Sequence, residues 1–280
     1  MKLYIVATPI GNLGDISFRA VEVLKAVDVI ACEDTRHTKI LLDKYGIQTK
    51  TIAYHKFNEK SSSEGIIKLL KEDKAVALVS DAGMPLVCDP GYVLVNRLKE
   101  EKIDYTVIPG ANAMLCALVM SGFDTSKFAF FGFLSEKNKE RTESIKGIAE
   151  FDGTSIIYSS KHNINKDLTS LRISLHNRKV CVVNEISKIF EKVQFFDLDN
   201  AKIDNPTGEY VVVLEAGHKE IKQDVDIVHE VELLCESGMS KNDACKQLAK
   251  TLGMSKRDIY NQVNKKQTDT QNQIDTTEEE

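Results

Sequence analysis

Short β-branched runs and longer amphipathic stretches take turns along the first 120 residues of this chain. Residues 3–8, 27–32, 50–53, 75–80 and 105–108 read as strands bounded by glycine, proline or charged residues. Residues 16–26 read as a helix, with Asp15 near its N-terminus and Val21, Leu24 and Val27 on one face. A second helix follows residue 38 and stops at Gly46, a residue suited to the left-handed position that ends helices. Ser61 and Glu64 make a capping box for a helix over 62–72, and further helices follow over 92–101 and 113–120. Alternation of this kind predicts a mainly parallel sheet with helices on both faces.

Residues 121–125 read as a break, after which strand patterns become denser, at 128–133, 154–158, 179–184, 192–197 and 209–215. Helical spacing over 138–150 and 163–176 makes this a second α/β domain with some antiparallel pairing. Three short helices are then expected at 227–236, 241–252 and 256–264, separated by Gly238-Met239-Ser240 and Gly253-Met254-Ser255, each serine capping the helix after it. The predicted class is α/β: two α/β domains over 1–122 and 127–219, a helix-turn-helix-like module over 225–266 and a disordered tail over 267–280.

Composition adds limits. A chain of 280 residues, 42% hydrophobic and 28% charged, is long enough for these domains and suits a globular enzyme. Its net charge of −5 excludes a surface coated with basic residues but not a local basic patch. Cys32, Cys88, Cys116, Cys181, Cys235 and Cys245 show no Cys-x-x-Cys spacing, which suits reduced thiols. His162 and His176 have no partner at ligand spacing, so no metal is expected. The opening Met1-Lys2-Leu3-Tyr4-Ile5-Val6-Ala7 reaches a loop too soon for a signal peptide, and no apolar stretch approaches membrane length, so a cytoplasmic protein is expected.

The candidate chemistry lies in two loops at strand ends, Thr8-Pro9-Ile10-Gly11-Asn12-Leu13-Gly14-Asp15 and Ser80-Asp81-Ala82-Gly83-Met84-Pro85-Leu86-Val87-Cys88-Asp89-Pro90-Gly91. Ligands bind there in open α/β sheets, small residues admit a ligand to the backbone, and carboxylates meet positive or hydroxyl-bearing groups. G-x-G-x-x-G is absent, which disfavours a dinucleotide site. A third strand end carries Glu33-Asp34-Thr35-Arg36-His37-Thr38, which reads first as substrate contact and second as a helix start capped by Asp34 or Thr35. Phe128, Phe130, Phe131 and Phe133 read as core rather than as a stacking platform.

Those three motifs closely resemble the tetrapyrrole-methylase superfamily, and in particular its ribosomal RNA small-subunit methyltransferase I family. Gly132-Phe133-Leu134 with Lys137 and Arg141, and Gly208-Glu209, match more loosely, and the likeness spans about residues 1–265. The resemblance implies transfer of a methyl group from S-adenosylmethionine (SAM) to the ribose 2′-oxygen of a decoding-centre cytidine in 16S rRNA. It implies a cofactor cleft between the two α/β domains, lined by Pro9, Gly11, Asn12, Ser80, Asp81, Ala82, Gly83, Pro85, Ala111, Asn112 and Ala113, with Tyr158, Gly208 and Glu209 approaching from the second domain. A homodimer is expected, as in related enzymes.

A ribose hydroxyl is a weak acid, so a nearby base would help remove its proton, and Glu33, Asp34, Arg36 and His37 are the candidate catalytic residues. Arg36 suits a phosphate clamp better than a base because its guanidinium stays charged. Lys137, Arg141 and Lys188 are candidate RNA contacts in the body, Lys256 and Arg257 in the basic helical module. The chain departs from the family pattern at Met84, Ala111-Asn112, Ser159, Lys161, Asn163 and Asn184, mostly by losing a charge or a hydroxyl. Two alternatives stay open: methylation of a tetrapyrrole ring, which would require neither the 33–38 cluster nor the basic module, and a non-catalytic rRNA-binding assembly protein, which Ser159, Asn163 and Asn184 would suit.

Overall fold

The computed structural model describes residues 2–175, 177–217, 227–236, 239–252, 255–261 and 263–264. They fall into two units, one ending at Gly217 and one beyond it.

The first unit opens with five parallel strands, β1 (Leu3–Val6), β2 (Val29–Cys32), β3 (Lys50–Ala53), β4 (Val76–Leu78) and β5 (Tyr105–Ile108), in the order β3-β2-β4-β1-β5. Parallel neighbours need crossovers, and these are the helices α1 (Phe18–Ala26), α2 (Thr35–Lys44), α3 (Glu59–Lys71) and α4 (Tyr92–Glu100). Leu24 and Leu42 pack with Val6 and Ile30 on one side, while Ile66, Leu70, Leu94 and Leu98 pack with Leu3, Ile5 and Leu78 on the other. Because β1 and β4 are neighbours, the loops that leave them lie side by side.

Two helix starts differ from the sequence reading. α1 begins after a 3-10 turn over Leu13–Asp15, and its cap is Ser17, whose Oγ accepts from the Ala20 N–H at 3.1 Å. The Asp15 carboxylate instead accepts a bond from the Ser187 hydroxyl. α3 begins at Glu59, a turn ahead of the expected capping box, so Ser61 sits inside the helix and donates to the Asn58 carbonyl at 3.0 Å. Glu59 then caps another helix: its carboxylate accepts from the Gly91 N–H at 2.8 Å and the Val93 N–H at 3.2 Å, at the start of α4.

The second sheet contains β6 (Phe128–Phe133), β7 (Thr154–Ser160), β8 (Lys179–Asn184), β9 (Lys192–Asp197) and β10 (Glu209–Leu214), in the order β6-β7-β10-β8-β9. β6 and β7 are parallel and the remaining pairs antiparallel. One face is covered by helices over Asn138–Glu150 and Ile164–Ser174, through Ile148, Leu168 and Leu171. The other is closed by the helix Ala113–Ser121, whose Ala117 and Leu118 pack on Ile156, Cys181, Val183, Val211 and Val213. In chain order these helices are α5 (Ala113–Ser121), α6 (Asn138–Glu150) and α7 (Ile164–Ser174). α5 follows the last strand of the first sheet but seals the second, so it forms the seam between them.

The second unit contains α8 (Ile227–Glu236), α9 (Lys241–Leu252) and helical backbone at 256–261, packed around Val231, Ala244, Cys245, Leu248, Ile259 and Val263. Ser240 and Ser255 accept from the N–H groups of Asp243 and Asp258, each at 3.2 Å, as the capping pattern predicts. His176, Gly238, Gly253, Met254, Lys265, Lys266 and the tail from 267 lie outside the described residues. Among the described residues no helix is long and apolar enough to cross a membrane.

Candidate active site

The two loops read from the sequence are bonded to each other. The Thr8 N–H donates to the Gly83 carbonyl at 2.8 Å and the Gly83 N–H returns the bond at 3.1 Å, while the Thr8 hydroxyl donates to the Ser80 carbonyl at 3.1 Å. They floor a cavity of about 350 Å³ whose roof comes from the second sheet. Its apolar wall includes Ile10, Met84, Val87, Ala113, Ile186 and Val211; its polar groups include Asp81, Asp89, Asn112, Tyr158, Glu185, Lys188 and Glu209. An apolar chamber with a few converging polar groups, in this size range, suits a small organic ligand.

Carboxylates gather where β2 and β4 end. The Asp34 N–H donates to Asp81 Oδ1 at 3.1 Å, which joins the 33–38 motif to the second loop. Burial, then the carboxylates of Glu33 and Asp81, push the Asp89 carboxyl up to about 6 against a bond from Ser80. Glu33 is raised by burial and by Asp81, with His55 opposing. Asp34 behaves oppositely: the Arg36 guanidinium, bonded through Nε at 3.2 Å and Nη2 at 2.7 Å, and the Arg36 N–H hold it far below the usual carboxylate range. The capping reading of Asp34 holds, since it caps α2, and the same carboxylate ties down Arg36.

On the second sheet, Lys188 bridges Glu185 at 2.8 Å and Glu209 at 3.0 Å. Burial alone would lower its ammonium, but the two carboxylates outweigh that and raise it. Its stem lies against Gly11, where a Cβ would come within 2.3 Å of Lys188 Cγ. Asn184 donates to the carbonyls of Thr207 and Glu209, both at 2.9 Å, so this departure from the family pattern holds the rim of the cavity in place. Ser159, another departure, donates to Asp167, whose other oxygen pairs with Arg141 at 2.6 Å.

Of the residues expected to line a cofactor, Asp81, Ala82, Gly83, Asn112, Ala113, Tyr158 and Glu209 meet in the cavity. Asn112 also caps α5, accepting from the Leu115 N–H at 3.0 Å. Pro9 and Ser80 line a smaller recess of about 70 Å³, which continues past Asp81 to His37. Gly11, Asn12, Pro85, Ala111 and Gly208, also expected there, do not line the cavity; Asn12 caps the 3-10 turn, and Gly208 has φ 69° with Glu185 against it. Lys137 is exposed and pairs with Glu140, Arg141 is buried, and Lys256 and Arg257 are exposed on the second unit. Phe130 and Phe131 join the cores as predicted, but a bulge at Gly132, φ 67°, turns Phe133 into the cavity beside Tyr158, ring centroids 5.5 Å apart, and Phe128 stays 40% exposed. Asp89, the second aspartate of the loop, lines the cavity too, together with Cys88, Glu185 and Ile186, which lie outside the residues expected there.

Two sheets, joined through α5, and a cavity between their loops define a two-lobed α/β protein. Residues 2–202 match the family of tetrapyrrole (corrin/porphyrin) methylases. The chain is 39% identical over 269 residues to ribosomal RNA small subunit methyltransferase I of Halalkalibacterium halodurans, covering 92% of this chain and 93% of that protein. It is 36% identical over 276 residues to the protein of the same name from Bacillus subtilis, covering 95% and 94%. In fold it is similar to uroporphyrin-III-C-methyltransferase from Thermus thermophilus, with a TM-score of 0.55 and 15% identity over 76% of this chain and 94% of that one. The chain belongs to the tetrapyrrole methylase family, in the branch of the ribosomal RNA small subunit methyltransferases I.

Proposed function

We propose that the protein transfers a methyl group from SAM to the ribose 2′-oxygen of a decoding-centre cytidine in the 16S rRNA of the small ribosomal subunit. The observation that carries this reading is the mixed lining of the cavity. Ile10, Met84, Val87 and Ile186 offer an apolar bed, while Asp81, Asp89, Glu185 and Glu209 supply the negative charge that a sulfonium, an amino group and sugar hydroxyls call for. The residues present therefore fit the cofactor, which when bound supplies an activated methyl group. Asp81, Gly83, Asn112, Ala113, Tyr158 and Glu209 would hold it.

The protein's part is positioning and proton removal. Asp34 is a weak base because Arg36 stabilises its charge, whereas Asp89 and Glu33 hold a proton more readily and suit the acceptor role. Lys137, Lys188, Lys256 and Arg257 remain the candidate RNA contacts; Arg141 is withdrawn into the interior. A homodimer belongs to the same reading, since Leu115 and Val119 lie exposed four residues apart on α5 and leave an apolar stripe for a second copy. The work is assigned to the cytoplasm, with the small subunit.

Incubation with labelled SAM and unmethylated small subunits, alongside a uroporphyrinogen substrate, tests the proposal. Label recovered as a 2′-O-methylated cytidine supports it; label in the macrocycle, or in neither, contradicts it.

A further inference from the structure

Phe57 is 97% exposed and Tyr92 74% exposed. Phe57 lies four residues beyond β3 and Tyr92 opens α4 after the loop that leaves β4. These strands flank β2 on either side, and β2 is the strand that delivers Glu33, Asp34, Arg36 and His37. The two corners are bonded together through Glu59, two residues past Phe57, which accepts from the N–H groups on both sides of Tyr92, those of Gly91 and Val93. Phe57 also touches the ring of His55, centroids 6.2 Å apart, and His55 is near enough to Glu33 to oppose its raised proton affinity. Phe57 thus stands one ring from His55, which lies near the Glu33 carboxylate at the end of β2.

The chain around Phe57 is polar. Lys56 and Lys60 are exposed on either side of Phe57, with Asn58, Glu59, Ser61 and Ser62 between and beyond them. A protein partner would require a contiguous apolar patch, and isolated rings among lysines and serines do not provide one. An unpaired nucleobase requires only one aromatic face and a cation for the adjoining phosphate.

We propose that Phe57 and Tyr92 form a stacking rim for unpaired RNA bases flanking the methylated nucleotide, with Lys56 and Lys60 holding the backbone beside them. The inference rests on the rRNA-methylation reading and extends it from the reacting sugar to its neighbours. Splaying flanking bases onto the rim would present one ribose to the acidic strand ends and keep the next nucleotides out of the cavity.

The test uses the full-length protein and a single-stranded RNA oligonucleotide carrying the decoding-centre sequence. Phe57→Ala and Tyr92→Ala are each expected to weaken RNA binding at least about fivefold with an unchanged salt slope, because stacking is sequence-tolerant and uncharged. Phe57→Trp is expected to restore binding. Lys56→Gln with Lys60→Gln is expected to lower the slope itself. SAM affinity, measured in parallel by calorimetry, is expected to stay within about twofold in all of them. Unchanged RNA affinity in both alanine variants overturns the rim, as does a change of oligomeric state in place of a change in RNA binding. If the unaltered protein binds and methylates no RNA, the functional reading falls and the rim with it; if it methylates RNA and the alanine variants do so equally well, only the rim falls.

Discussion

Arg141 pairs with Asp167 at 2.6 Å, and the two side chains are only 8% and 3% exposed. Ser170 accepts from Nε and Nη2 of the arginine, both at 3.1 Å, and Ser159 donates to the other oxygen of the aspartate. The pair thus links α6 and α7 to β7, the strand that carries Tyr158 and Ser160 into the cavity. Removing one partner leaves a buried charge without compensation. Arg141→Ala is expected to cost about 3–5 kcal/mol in denaturant unfolding, and replacing Arg141 and Asp167 together by Met and Leu much less. The salt dependence of RNA binding in the double variant should match that of the unaltered protein, which a phosphate-contacting arginine would not allow.

Asp89 gives a pH signature. Its folded carboxyl titrates at about 6 against about 4 in an unfolded chain, so the folded state holds the proton more tightly and stability falls as pH rises through that window. Asp89→Asn is therefore expected to raise Tm at pH 7 and to leave it unchanged below about pH 4. Activity should run the opposite way: a base must be ionised, so the rate climbs with pH through about 6 in the unaltered protein. The variant should lose roughly 100-fold in kcat together with that inflection. A full-rate variant with the same profile would remove Asp89 from the reaction.

Gly208 is held at φ 69°, where a side chain is strained, and a Cβ there would lie 2.2 Å from Glu185 Oε1. Gly208→Ala must displace the carboxylate that anchors Lys188 and accepts the Glu209 N–H at 3.0 Å. The left-handed conformation alone costs about 1–2 kcal/mol for a non-glycine residue. SAM affinity is expected to drop about tenfold or more by calorimetry, with the circular dichroism spectrum kept.

Lys256 and Arg257 are exposed at the start of a helical segment in the second unit. Their joint replacement by Gln is expected to reduce the slope of log affinity for rRNA against log salt by about 1–2, and to leave SAM binding unchanged. An unaltered slope would assign the RNA grip to the first unit alone.

The strands were legible because β-branched runs between turn residues have few other uses, and β3, β5 and β6 fall where the pattern puts them. Helix starts were less so. Asp15 and Ser17 are both good caps, and the choice is made by Ser187, more than 150 residues away, which engages the aspartate. Ser61 and Glu64 match a capping box in spacing, yet Glu59 is drawn toward the N-terminus of α4 and starts its helix early. The motifs named the cavity floor, since Asp81, Gly83 and Asn112 are local features of single loops. Glu185, Phe133 and the buried state of Arg141 depend on a bulge and on packing between distant segments, which no local pattern encodes.

Methyl transfer of the kind proposed requires SAM to bind in the cavity between the two sheets. Calorimetric titration of the unaltered protein and of Ala113→Phe, which fills the chamber beside α5, tests this directly. One-site uptake by the unaltered protein and loss of that uptake in the variant are expected. No uptake at all, or equal uptake by a chain whose chamber is filled, would contradict it.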